Sequence, residues 1–204
     1  MINHDLKCIF VEVPKTGSTS IRSIIGHPQK PHMNIKEIQA KFFAEQMNPS
    51  NNFLKNIFYK QKAERQWNTY YKFGFVRNPW DRVVSLYLRK EGLQMADKMS
   101  FHEFVHWIEN SSDTSIHPSK HKNQLDWFLD SKGNIAVDFI GKFESLNEDW
   151  KIIAKKLGTS TTLPHTNKNI AKKKHYTEYY NNELREIIAK KFQKDIDYFG
   201  YKFK

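Results

Sequence analysis

The chain alternates between short apolar runs and longer stretches in which apolar residues recur at helical spacing. Residues 7–13 form an apolar run that predicts a buried strand, and isoleucines recur at helical spacing after the polar loop 14–20. Residues 70–76 predict a second strand, and apolar residues again follow the turn 77–79 at helical spacing. The pattern therefore predicts two strand–loop–helix units.

The remaining pattern predicts one more strand, further helices and a loop, each with a local start or stop signal. These are a helix capped by Asn34, a helix over 101–108, a loop over 111–119, a strand over 135–140 after the turn 130–134, a helix over 146–157 ended by Gly158, and a final helix from 177 to about 192. Strands that alternate with helices indicate an α/β fold with three layers, in which helices flank a central, mainly parallel sheet. The length of 204 residues favours one domain over residues 1–204.

The loop after the first strand has the composition of a phosphate-binding loop. Its residues are Pro14, Lys15, Thr16, Gly17, Ser18, Thr19 and Ser20. They provide a glycine, a lysine, four hydroxyls and the N–H groups that open a helix. The loop is not a Walker A motif, because Lys15 precedes the glycine instead of following it. Taken alone, it is also compatible with a polar turn that caps a helix.

A second anion site is predicted at the other strand–loop–helix unit. Arg77 ends the second strand, and Ser85 follows eight positions later, about two helical turns along, so the two side chains can converge on an anion. In parallel sheets both loops lie at the carboxyl ends of their strands, where ligands bind. An ion pair between Arg77 and an acidic partner is the alternative interpretation, and Arg82 and Arg89 are interpreted as solvated or paired.

Composition narrows the class of ligand. The formal net charge of +11 favours anionic partners, and it leaves nucleic acid, acidic glycans and nucleotide phosphates open. No run approaches the roughly 20 apolar residues of a membrane span, and the start of the chain has no signal-peptide pattern, so we expect a soluble, cytoplasmic protein. The single cysteine, Cys8, is expected to be a packed core thiol. We find no Cys/His cluster with zinc spacing and expect no metal.

Two segments closely resemble the two PAPS-binding signatures of the sulfotransferase superfamily, in the branch of Golgi carbohydrate sulfotransferases and their bacterial relatives. They are residues 13–20 and 75–87, and the resemblance extends over 138–146, 163–167 and 195–203. It implies that the protein moves a sulfuryl group from PAPS (3′-phosphoadenosine 5′-phosphosulfate) to an acceptor hydroxyl, with a glycan as the expected acceptor and PAP as the product. It implies no nucleic-acid partner.

The resemblance also implies roles for individual residues. The loop 14–20 would bind the 5′-phosphosulfate, with Lys15 neutralising the bridging oxygen as its bond to sulfur breaks. Arg77 and Ser85 would bind the 3′-phosphate. Lys173, in the basic run 172–174, would add a nucleotide contact, although a solvated basic loop is the other interpretation.

The acceptor hydroxyl also requires a general base. His32 is predicted to take this role, because it lies between the two signatures and related enzymes carry a histidine or glutamate base in this region. The alternative is that His32 only packs against the helix capped by Asn34. Other candidates for the base are His27, His117, His121 and Glu45. Asn123, Gln124, Trp127 and Phe128 are predicted either to line an acceptor groove or to be ordinary helix residues.

Two other functions remain as hypotheses. A small P-loop nucleotide kinase would require ATP and Mg²⁺ binding by a loop whose lysine is differently placed. A non-catalytic module that binds polyanions would use the positive surface alone. The identity of the acceptor and the oligomeric state do not follow from these motifs.

Overall fold

A mainly parallel sheet forms the centre of the protein. The computed structural model describes residues 1–26, 32–46, 53–88, 99–110, 123–164 and 174–204. Within these ranges the strands are β1 (Ile2–Asn3), β2 (Cys8–Val11), β3 (Tyr71–Val76) and β4 (Phe139–Lys142), in the spatial order β1–β2–β3–β4. β2, β3 and β4 are parallel, and β1 pairs antiparallel with β2. The predicted α/β fold with a mainly parallel sheet is confirmed.

Helices and short 3₁₀ turns connect the strands. The helices of the described ranges are α1 (Ser18–Ile25), α2 (Ile35–Gln46), α3 (Phe53–Thr69), α4 (Pro79–Tyr87), α5 (Phe101–Asn110), α6 (Leu146–Leu157), α7 (Asn182–Lys191) and α8 (Gln193–Phe199). The 3₁₀ turns are Leu125–Trp127, Phe143–Ser145 and Tyr176–Tyr179.

Side chains of β2 alternate between two apolar cores, as the two-residue period of a strand requires. Cys8 and Phe10 belong to the core shared with α1 and α6, whereas Ile9 and Val11 belong to the larger core shared with α2, α4, α5 and α7. The sheet is therefore covered on both faces, in the predicted three layers. Cys8 is fully buried, and burial raises the pKa of its thiol to about 12, as expected for a core thiol.

Local capping signals set the helix starts that were predicted. The Asn34 side chain accepts from the Glu37 N–H at 3.0 Å, and the Glu37 carboxylate accepts from the Asn34 N–H at 2.8 Å, which together form a capping box ahead of α2. Asn78 accepts from the Trp80 N–H at 3.1 Å, and Pro79 occupies the first position of α4.

Two predicted elements differ from the structure. The strand predicted over 135–140 is instead β4, from Phe139 to Lys142, because Ile135 pairs with Leu129 and the Ala136 N–H donates to the Phe128 carbonyl at 2.8 Å, outside the sheet. The final helix predicted from 177 to about 192 is also wrong. Asn181 caps a new helix through the Leu184 N–H at 2.8 Å, so that α7 begins at Asn182 and is followed by α8.

The remaining expectations concern one helix, one loop, membrane spans, location and domain organisation. Helix α3 was not predicted, and the predicted loop 111–119 lies outside the described residues. None of the helices in the described part of the chain combines the length and apolar character that a membrane span requires. The cytoplasmic location and the single-domain organisation stay predictions.

Candidate phosphate-binding site

The two predicted phosphate segments meet at one edge of the sheet. β2 and β3 are adjacent and parallel, with Val11 opposite Gly74, so the segments that follow them leave from the same edge. The Arg77 guanidinium donates through Nη1 to the Lys15 carbonyl at 3.1 Å. Residues 62 positions apart in the sequence thus connect the two loops directly.

Side-chain donors hold three successive carbonyls of the first loop. The Val13 carbonyl accepts from the Thr16 hydroxyl at 2.8 Å, the Pro14 carbonyl from Arg82 Nε at 3.3 Å, and the Lys15 carbonyl from Arg77. A trans peptide directs its N–H opposite to its C=O. The N–H groups of Lys15 and Thr16 therefore point away from the two arginines.

Two residues of this loop have left-handed backbone conformations. Lys15 has φ 69° and Gly17 has φ 89°, and residues of this kind interspersed in a loop form the concave array of N–H groups that binds anions. Gly17 is also tightly packed, because a Cβ built on it would lie 2.9 Å from Leu146 Cδ2 and 3.3 Å from Phe143 Cδ2. Glycine at position 17 is thus required by both the backbone and the packing.

The loop side chains differ in exposure. Thr16 is fully buried and its hydroxyl donates to the Val13 carbonyl, so this side chain shapes the loop. Pro14 and Ser18 are buried, Lys15 and Ser20 are partly exposed, and Thr19 is exposed. The amino end of α1 follows directly, and its first N–H groups have no acceptor within the helix.

Arg77 is paired with an acidic residue, which was the alternative to an anion site in the sequence analysis. Its Nε and Nη2 both lie 2.8 Å from Asp81 Oδ2, and the guanidinium lies 4.1 Å from the centre of the Phe143 ring. These contacts and the bond to Lys15 use three of the five N–H groups of the guanidinium. Ser85 is buried on α4. The pairing fixes Arg77 in place without using all its donors.

Of the two interpretations of Arg82, solvated or paired, its burial excludes the first and its interaction with Asp195 favours the second. It is almost fully buried, and burial lowers the pKa of its guanidinium to about 10, while the nearby Asp195 carboxylate acts in the opposite direction. Even so, Arg82 stays charged at neutral pH. A second buried positive charge therefore lies behind the loop. Arg89 lies outside the described residues.

His32 lies beside the end of β2. Its Nδ1 is 3.2 Å from the Glu12 carbonyl oxygen and 3.9 Å from the Glu12 carboxylate, and its own backbone is left-handed, with φ 60°. Glu12 is 1% exposed and lies 3.4 Å from Arg22 on α1. His32 is therefore held next to the strand that leads into the phosphate loop.

Comparison with known proteins decides the family. The family model described as "Sulfotransferase family" matches residues 1–202. The chain belongs to the sulfotransferase family. No solved structure matched it significantly.

Named relatives of this sulfotransferase-family chain are distant. Carbohydrate sulfotransferase 11 of Rattus norvegicus is 24% identical over 96% of this chain and 62% of its own, and carbohydrate sulfotransferase 10 of Xenopus laevis is 20% identical over 96% and 65%. An uncharacterised protein of Archaeoglobus fulgidus is 33% identical over 50% of this chain and 78% of its own. The chain thus spans less than two thirds of the length of these carbohydrate sulfotransferases.

In this sulfotransferase-family chain, a buried clasp that sequence reasoning missed holds the backbone of Arg77. Gln124 accepts from the Arg77 N–H at 2.9 Å and donates to the Arg77 carbonyl at 2.7 Å. Asp195 in turn accepts from the Gln124 N–H at 2.8 Å and from the Leu125 N–H at 2.9 Å. Gln124 and Asp195 are 0% exposed, and burial raises the pKa of Asp195.

The acceptor-groove hypothesis for residues 123–128 is wrong for three of its four members. Gln124 and Phe128 are fully buried and Trp127 is 5% exposed, so they offer no surface to a sugar. Asn123 is half-buried and accepts from the Asp195 N–H at 3.3 Å. The aromatic residues belong to the core, and the amides support Arg77 and Asp195.

The carboxyl-terminal segment braces the start of α4. Glu144 accepts from the Asn78 N–H at 2.6 Å and from the Tyr201 hydroxyl at 3.3 Å, and Asn78 donates to the Lys202 carbonyl at 3.0 Å. The resemblance of 138–146 and 195–203 to the family pointed to these segments but not to this role.

Some predicted site residues are not placed. Lys173, His27, His117 and His121 lie outside the described residues. Glu45 is exposed on α2, 3.6 Å from Lys41, so the structure pairs this candidate base within its own helix.

Proposed function

We propose that the protein transfers a sulfuryl group from PAPS to a hydroxyl group of a carbohydrate. The observation that carries this proposal is the hydrogen bond from Arg77 to the Lys15 carbonyl, because it joins the two segments predicted to bind anions at adjacent strand ends. PAPS has anionic groups on both its 5′ and its 3′ side, which suits two joined segments. The names of the carbohydrate sulfotransferases 10 and 11 support the choice of acceptor.

The phosphate loop would bind the 5′-phosphosulfate. The N–H groups of Lys15 and Thr16 point away from the buried arginines, and the amino end of α1 adds further donors. Ser18, Thr19 and Ser20 supply hydroxyls, and the Lys15 ammonium supplies a positive charge. Charge that develops on the bridging oxygen is stabilised best by donors that are already in position.

Arg77 and Ser85 would bind the 3′-phosphate. Asp81 holds the Arg77 guanidinium through two contacts of 2.8 Å, and Gln124 holds its backbone, so little side-chain entropy remains to be lost on binding. Two of the five guanidinium N–H groups have no acceptor in the described part of the chain, which is enough for one or two phosphate oxygens. Carboxylates lie near both arginines, Asp81 beside Arg77 and Asp195 near Arg82, so directed N–H donors and not a net local charge would carry the contact with the phosphate.

His32 would act as the general base. A neutral ring that donates from Nδ1 to Glu12 carries its lone pair on Nε2, which is the nitrogen that would accept the proton of the acceptor hydroxyl. The acceptor oxygen then bonds to sulfur as the bond between sulfur and the bridging oxygen breaks. Lys15 compensates the charge left on PAP, and the proton stays on His32. Alignment and charge stabilisation account for the catalysis, as in phosphoryl transfer.

Ligand-dependent thermal stabilisation tests the donor. PAP should raise the melting temperature of the protein more than AMP, or ATP with Mg²⁺, at equal concentration. Arg77→Ala should weaken PAP binding by about 1.5 to 3 kcal/mol, the scale of a charge-assisted hydrogen bond, whereas Arg65→Ala, which changes an exposed arginine on α3, should leave it unaltered. Equal PAP affinity in both variants would remove Arg77 from the donor site.

The other outcomes separate the competing functions. Stabilisation by ATP with Mg²⁺ but not by PAP would favour a nucleotide kinase. Salt-sensitive binding of heparin that survives both Lys15→Ala and Arg77→Ala, without any PAP effect, would favour a polyanion-binding module. If PAP binds selectively, transfer of labelled sulfate from PAPS to a panel of glycans, phenols and tyrosine peptides tests the acceptor class.

A further inference from the structure

We propose that His102, His106 and Glu183 form a binding site for Zn²⁺ where α5 meets α7. The two histidines are four residues apart on α5, so they lie on one face of the helix. Glu183 lies in the first turn of α7, which packs against α5. One ligand atom of each residue lies within 4.8 Å of the others.

The distances already approach those of a zinc complex. His106 Nε2 lies 3.4 Å from Glu183 Oε1, and His102 Nε2 lies 3.8 Å from Glu183 Oε2. With metal–ligand bonds of about 2.1 Å in a tetrahedral complex, the ligand atoms are about 3.4 Å apart. Because His102 and Glu183 are exposed, their side chains can make the small remaining adjustment without disturbing the core.

A fourth residue, Glu109, lies where it can orient the ring of His106 as a metal ligand. His106 Nδ1 lies 3.4 Å from Glu109 Oε2, so both nitrogens of this ring face carboxylates. A neutral imidazole has one N–H, and if Nδ1–H faces Glu109 then the Nε2 lone pair faces Glu183. A cation between Nε2 and Glu183 makes that contact favourable. Histidine ligands of metals commonly donate their other N–H to a carboxylate in this way.

The ligand set favours zinc over the hard cations. Two imidazoles and one carboxylate suit Zn²⁺, whereas Mg²⁺ and Ca²⁺ prefer oxygen ligands throughout. Three protein ligands leave one position for water. The Trp80 indole donates to the Arg185 carbonyl at 3.0 Å, which links α7 to α4, the helix that carries Ser85. A bound metal would therefore stabilise the helical layer behind the candidate phosphate site. This proposal departs from the sequence expectation of no metal.

Zinc titration of the full chain, freed of metal with a chelator, tests the site. Calorimetry with ZnCl₂ should show one tight site, and zinc should raise the melting temperature. His106→Gln and Glu183→Gln should each weaken zinc binding by at least about tenfold, and Glu109→Gln by about tenfold through loss of the supporting contact. Glu186→Gln is the matched control, because this exposed carboxylate lies on the same helix and should not change zinc binding.

Unchanged zinc affinity in both His106→Gln and Glu183→Gln would overturn the proposal, as would the absence of zinc-dependent stabilisation in the unmodified protein. If a variant fails to fold, Co²⁺ binding to the unmodified protein decides instead. The intense visible absorption of a tetrahedral complex supports the site, and the weak spectrum of hydrated Co²⁺ overturns it.

Discussion

Replacement of Gln124 by alanine removes the clasp on Arg77 and should destabilise the fold. The side chain accepts from the Arg77 N–H at 2.9 Å and donates to the Arg77 carbonyl at 2.7 Å, both in a fully buried setting. It also donates to Asp195 at 3.2 Å, but that carboxylate keeps two backbone donors. Two buried backbone groups are therefore left unsatisfied, at about 1 to 3 kcal/mol each.

A water molecule entering the space left by Gln124→Ala would recover part of this loss, so we expect a decrease of about 3 kcal/mol in the free energy of unfolding. For a domain of this length that decrease corresponds to a melting temperature lower by about 6 to 12 °C. Urea unfolding followed by circular dichroism measures it. Gln193→Ala is the control, because the exposed Gln193 side chain donates to Asp197 at the surface, so its loss should change stability by less than about 0.5 kcal/mol.

The isosteric variant Gln124→Glu sharpens this test. Its carboxylate would still accept from the Arg77 N–H, but its second oxygen would face the Arg77 carbonyl and the Asp195 carboxylate. At neutral pH we therefore expect Gln124→Glu to be at least as destabilised as Gln124→Ala, although it fills the same volume. A loss below about 1 kcal/mol in both variants would refute the conclusion that the clasp stabilises the site.

Three further changes are predicted. Gly17→Ala should weaken PAP binding and lower the melting temperature, because the added Cβ would lie 2.9 Å from Leu146 in addition to straining the backbone. Gly158→Ala is the control: its φ of 65° gives the same kind of strain, but nothing lies within 4 Å of the added Cβ, so PAP affinity should not change. His32→Asn, chosen because asparagine tolerates φ 60°, should keep PAP affinity and lower sulfate transfer by roughly 10²-fold; transfer within a fewfold of wild type would exclude His32 as the base. Burial raises the pKa of Asp195, so the folded protein holds this proton more tightly than the unfolded chain. The stability advantage of wild type over Asp195→Asn should therefore be largest at acidic pH and shrink as pH rises from the ordinary value of 3.8 through the folded pKa. An advantage that grows with pH would contradict the conclusion that folding raises the pKa of Asp195.

Several features could be predicted because their causes lie within a few residues of one another. The apolar run before the polar loop predicts β2 and the start of α1. Pro79 and Asn78 define the start of α4, and Asn34 defines that of α2. Capping and turn chemistry act between near neighbours in the chain. The sequence by itself therefore determined the two strand–loop–helix units and the loops expected to bind phosphate.

Other features depend on which distant residues meet. Gln124 has no local signal that distinguishes a sugar-binding amide from a buried clasp, and Arg77 lies 47 positions away. Trp127 and Phe128 have a composition suitable for a groove, yet they pack in the core. Burial is a property of the packed chain, so only the tertiary structure decided these cases.

The same reason applies to the residues of the proposed zinc site and to Arg82. The spacing of His102 and His106 is visible in the sequence, but Glu183, the third residue of the proposed zinc site, lies on a helix that begins only at Asn182. Arg82 resembles any surface arginine until the fold buries it beside Asp195. Local sequence determined the elements and the chemistry that each one carries, whereas long-range packing decided which of those groups face one another, because no periodicity in the chain encodes contacts between distant segments.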